Sequence, residues 1–186
     1  MDIDAKHIAG AAVVTAAVAG CATTDQQLFI RPEVLAVSSY TYSQSREPLT
    51  ALNDALVAAS GREVRQLAAE LTAVLTTNAT NDAKQEICQM LWKYADEENV
   101  SGIAPLLHKE KTADMARYAL ERMEGSAVDA ALVSALSSAP DAAKAGIINS
   151  LAARGTESAI SAIRHFSNHR DVKIAESARA ALGALA

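Results

Sequence analysis

The chain has 186 residues, half of them hydrophobic but only 4% aromatic, and a formal net charge of −5. Its apolar content is mostly alanine, leucine, isoleucine and valine, which favours closely stacked helices and argues against a sheet, where β-branched and aromatic side chains prevail. The length suits one domain with a short extension, the absence of a basic stripe argues against nucleic acid as a partner, and two cysteines, Cys21 and Cys88, are too few for a disulfide scaffold.

The first stretch, 8–20, is an uncharged run rich in alanine and valine. It is short for a bilayer span but has the length of a signal-peptide core. It ends Val18-Ala19-Gly20-Cys21, which resembles the bacterial lipobox. The resemblance implies a signal peptide over 1–21, lipidation of Cys21, and an outer-membrane or periplasm-facing location in the cell envelope, since Ala22 rather than aspartate follows the cysteine. Asp2 and Asp4 beside Lys6, and Val18 in place of the commoner leucine, depart from that pattern. The alternative is an alanine-rich helix with a buried cysteine in a soluble, cytoplasmic adaptor. On the lipoprotein reading, 22–47 is a tether. Leu28, Phe29, Ile30, Val34 and Leu35 are too apolar for a purely solvated linker, so part of it is expected to pack on the open end of the first repeat.

From residue 48 onward the periodicity is helical throughout. Pro48 suits a first turn, and Leu49, Leu52, Leu56 and Ala59 follow at helical spacing in a lone helix expected to end at Gly61 and to cap the array. Helix pairs are then predicted over 63–76 with 83–95, 100–109 with 112–123, 127–138 with 141–154, and 156–166 with 171–185. The turn around Asn78 and Thr80 supplies a cap, and Asp141 and Asp171 place carboxylates at helix starts. The second helices align on a leucine column, Leu91, Leu120, Leu151 and Leu182, with steps of 29, 31 and 31 residues. A near-constant helical step of that size predicts an all-α solenoid over 48–186: about four stacked antiparallel pairs plus an N-terminal capping helix.

Gly155-Thr156-Glu157-Ser158-Ala159-Ile160, Phe166, Asp171-Val172-Lys173 and Ala178-Arg179-Ala180-Ala181-Leu182-Gly183 resemble a bacterial HEAT-like repeat of the type named after phycobilisome lyases. The stretches 114–122 and 146–151 are similar to a planctomycete and verrucomicrobial subset. The resemblance implies a platform for another protein, and as a rival a lyase-like or chaperone subunit presenting a cofactor-bearing client. No feature beyond the repeat points to bilin chemistry, and no cofactor is expected.

Catalytic and metal signals are weak. His165 and His169 are four residues apart, but Ser167-Asn168 falls where the helix should end, so the rings diverge. Cys88 follows an inward Ile87 and reads as a buried, inert thiol. The carboxylates read as solvated charges on outer helix positions. By the HEAT resemblance, the second helices line the concave side. Positions at fixed offsets from the leucine column then name a candidate partner-binding set: Gln89, Trp92, Arg117, Tyr118, Asn149 and Arg179. Tyr, Trp and Arg are the side chains that most often anchor protein contacts. The competing readings are that Trp92 and Tyr118 fill gaps between repeats, and that Arg117 and Arg179 bridge them. The apolar C-terminal residues Ala184, Leu185 and Ala186 suggest self-association through the last repeat.

Overall fold

The computed structural model describes residues 29–185, and the lipobox with Cys21 lies outside them. Among the described residues the architecture is an all-α solenoid. A short helix α1 (Pro32–Ala36) runs into a 3₁₀ turn (Val37–Ser39), and α2 (Glu47–Ala58) stands alone. Four pairs follow: α3 (Arg62–Leu75) with α4 (Asn81–Tyr94), α5 (Val100–Ile103) and its 3₁₀ continuation (Ala104–His108) with α6 (Ala113–Glu121), α7 (Ser126–Ser138) with α8 (Asp141–Arg154), and α9 (Glu157–Arg164) with α10 (Val172–Ala184).

The helix starts are set locally. Thr80 accepts from the backbone N–H of Ala83, Thr156 from that of Ala159, and Asp171 from those of Lys173 and Ile174, each satisfying donors left free in a first turn. Asp171 therefore precedes its helix as the cap, while Asp141 is the first residue of α8 and binds Lys144 at 2.6 Å. Two local expectations are corrected. Gly61 does not terminate the lone helix, which closes at Ala59. It opens α3 instead, at φ +47°, a region a side chain would disfavour. The helix expected over 100–109 is split, because Pro105 has no N–H to continue the α pattern and the chain tightens into 3₁₀.

The pairs form two layers. α4, α6, α8 and α10 stack in order and approach one another more closely than do α3, α5, α7 and α9. We call this more closely packed layer the inner layer. The leucine column runs through it: Leu91, Leu120 and Leu151 are fully buried and Leu182 is half-buried. One continuous core extends from Ile30 to Ala181. At its N-terminal end, Ile30, Val34, Val37 and Tyr40 are buried against α2, α3 and α4. Successive layers are also tied by polar bonds between residues about one repeat apart. The Thr80 hydroxyl donates to the Tyr40 carbonyl, and Glu97 accepts from the Ala127 N–H at 2.8 Å in the first turn of α7.

The carboxylates overturn a sequence expectation. Glu70, Glu86 and Asp129 are not solvated but buried, each against an arginine of another layer: Arg31, Arg46 and Arg154. Burying a charge is costly unless it is paired and hydrogen-bonded, and these three are. Arg154 also donates to the Met123 and Gly125 carbonyls, so one side chain closes the C-terminal end of α6 and its following turn.

Candidate functional site

The inner layer places the sequence-predicted residues in two environments. Gln89, Tyr118 and Asn149, each two positions before a column leucine, are exposed on α4, α6 and α8 and continue to the exposed Ala180 on α10. They form a row across the stack because the 29- to 31-residue step repeats the same helical phase. The row three positions before the leucines is not a surface. Cys88 and Ile148 are buried there, Arg117 is half-buried, and only Arg179 is exposed.

Trp92 and Tyr118 meet. Their rings stack with centroids 5.5 Å apart and planes 13° from parallel, and the Arg122 guanidinium lies 5.0 Å from the Trp92 ring centroid. Tyr118 and Arg122 are four apart, so one face of α6 brings both onto the indole of α4. Trp92 is half-buried, while Tyr118 is 44% exposed. The pair joins two repeats and leaves the Tyr118 ring exposed. Arg122 is the residue that sequence reasoning missed. Its four-residue spacing from Tyr118 was the available signal.

Arg117 acts as a bridge. It donates to Glu121 at 3.1 Å and to the Ser150 hydroxyl at 3.0 Å, and Ser150 in turn donates to Glu121 at 2.6 Å. A side chain at Gly146 would collide with Arg117, since a Cβ there would lie 2.9 Å from its Nε. Arg179 stands apart, donating to the Ser167 carbonyl at 2.8 Å beside the turn after α9.

On the other flank of α4, a groove of about 330 Å³ opens toward α2, lined by Arg46, Thr50, Asn53, Gln89, Lys93 and Tyr94 among others. Arg46 is bonded to both oxygens of Glu86 at 2.9 and 3.0 Å. Among the described residues the buried Tyr94 hydroxyl has no hydrogen-bond partner, and the Lys93 ammonium lies 5.0 Å from the Tyr94 ring centroid.

Cys88 is 1% exposed, and burial pushes its thiol up to about 12, with nearby Lys84 opposing the shift. That thiol stays protonated and is a poor nucleophile near neutrality. His169 stacks on Phe166 with ring centroids 5.7 Å apart and accepts through Nδ1 from the Asp171 N–H, whereas His165 is exposed. Among the described residues, no group of three or more His, Cys, Asp and Glu is arranged to hold a metal ion, and no helix is long and apolar enough to cross a membrane.

No protein-family model matches the chain, and no curated protein matches it. Among solved structures, a designed armadillo repeat protein, YIII(Dq)4CqI, is similar over 83% of this chain and 81% of its own, with 15% sequence identity and a TM-score of 0.43.

Proposed function

We propose that the protein is a non-catalytic scaffold that holds another protein on the inner face of its second helices. The observation that carries this reading is the exposed row Gln89, Tyr118 and Asn149, anchored by the Trp92–Tyr118–Arg122 stack. Aromatic and arginine side chains held rigidly at the centre of a surface supply most of the energy in protein contacts. Small residues at Ala145 and Ala152 on α8 and at Ala180 and Gly183 on α10 let a partner lie close to those helices. A photo-crosslinking residue at position 118 should capture a partner in cells that express the protein. The same residue at exposed Ser134 on α7, in the outer layer, should not. Capture from 134 and none from 118 would overturn the reading.

The reading includes a membrane tether through lipidated Cys21. The described residues begin at Phe29, eight residues beyond Cys21, and eight residues span at most roughly 28 Å. A scaffold tethered this way is held close to the bilayer. The mass of the mature N-terminus tests it: a lipid-modified Cys21 supports the tether, and an intact Met1 removes it. Self-association on the α10 face is a separate reading. Val172, at 64% exposure, favours it, while Arg179 and Lys173 on the same helix place like charges of two copies near each other.

A further inference from the structure

We infer that the segment held at the α4–α6 end of the inner face is acidic, its carboxylates meeting Arg122 at Trp92 and Lys93 at Tyr94. The inference rests on the inner-face reading and adds the chemistry of the occupant. The whole chain is acidic, at −5, so cations left free of a carboxylate here have a structural cause, which is how the charges are paired. Glu86 is neutralised by Arg46, and Glu121 by Arg117. Lys93 and Arg122 have no ion-pair partner among the described residues, and both are exposed. Each instead lies 5.0 Å from the centroid of an aromatic ring, Arg122 at Trp92 and Lys93 at Tyr94. A cation at a ring keeps its charge available to a second, anionic partner.

The two cations occupy equivalent places. Lys93 and Arg122 each stand two positions after a column leucine, 29 residues apart, so they hold equivalent places on neighbouring helices. The groove toward α2, where Arg46 is paired with Glu86, offers uncharged donors at Asn53 and Gln89, beside the Tyr94 hydroxyl, which is buried with no hydrogen-bond partner among the described residues. A chain crossing α4 would place one carboxylate at Arg122 and the stack and another at Lys93 and the groove. Two cations are too few to follow a phosphate backbone, and the acids Asp96, Glu98 and Glu124, just beyond the ends of α4 and α6, oppose a polyanion that runs past them. A short acidic stretch of protein fits better than a nucleic acid.

The single tryptophan reports on the site directly. A short oligoglutamate peptide should shift Trp92 emission saturably, and raising the salt should weaken it. In the double variant Lys93→Glu and Arg122→Glu the affinity should fall at least about tenfold, while Lys173→Glu on α10 leaves it unchanged. Circular dichroism confirms folding, since both residues are exposed, and the single Lys93→Glu variant gives an intermediate loss if the double variant is damaged. No emission change, equal binding by all variants, or tighter binding of oligolysine or oligothymidylate would overturn the inference. If oligoglutamate fails but crosslinks from position 118 persist, only the charge assignment falls. If both fail, the inner-face reading falls with it.

Discussion

Arg31 lies across Glu70, 39 residues later in the chain, with its Nε 3.1 Å from each carboxylate oxygen and its backbone N–H donating to the same group at 3.0 Å. Glu70 is fully buried in the middle of α3, so this pairing determines whether the N-terminal segment can close the first repeat. Arg31→Met leaves an uncompensated carboxylate and should destabilise the protein by about 3–5 kcal/mol. Adding Glu70→Leu should recover much of the loss, because an apolar pair of similar volume removes the stranded charge. Urea unfolding of the two variants checks this. A double variant no more stable than Arg31→Met would show that the arginine acts through its packing instead.

Gly102 in α5 is held by what it faces. A Cβ there would fall 2.2 Å from Cγ2 of Thr72, a buried side chain whose hydroxyl donates to the Ala68 carbonyl at 2.7 Å and accepts from Asn99 at 3.1 Å. Exchanging glycine for alanine within a helix ordinarily gains roughly 1 kcal/mol. Here overpacking should win, and Gly102→Ala should lose about 1–3 kcal/mol. A rise in melting temperature would mean that Thr72 can turn aside.

Leu151 and Leu182 occupy the same place in consecutive repeats but differ in cover: the first is fully buried and the second half-buried. Leu151→Ala should cost about 2–5 kcal/mol, and Leu182→Ala distinctly less. Equal losses in chemical denaturation would contradict the placement of the column.

Cys88 predicts an alkaline limb. Its thiol has an ordinary value of 9.0 and is raised to about 12 in the folded chain by burial. The unfolded state then releases its proton first as pH rises. Stability is fully present below pH 9 and falls between 9 and about 12, by up to roughly 1.4 kcal/mol per pH unit. Cys88→Ala should flatten that limb in unfolding experiments, and in a Cys21→Ala background a thiol reagent should label Cys88 only on unfolding.

The repeat architecture was legible in the chain because it is written at short range. The three- and four-residue spacing of Leu49, Leu52 and Leu56, the cap at Thr80 and the 29- to 31-residue step of the leucine column all follow from local geometry and one stacking period. Even the exposed row of Gln89, Tyr118 and Asn149 follows from helical phase alone. What tertiary structure decided is which charges are spent. Glu70, Glu86 and Asp129 resemble any solvent-facing helix carboxylate in sequence, yet stacking buries them against arginines 25 to 40 residues away. Those separations depend on how helices pack within a pair and against the preceding segment, which no local period encodes. The same pairing leaves Lys93 and Arg122 without ion-pair partners among the described residues, so the charge these helices present is a property of the folded stack and not of the composition.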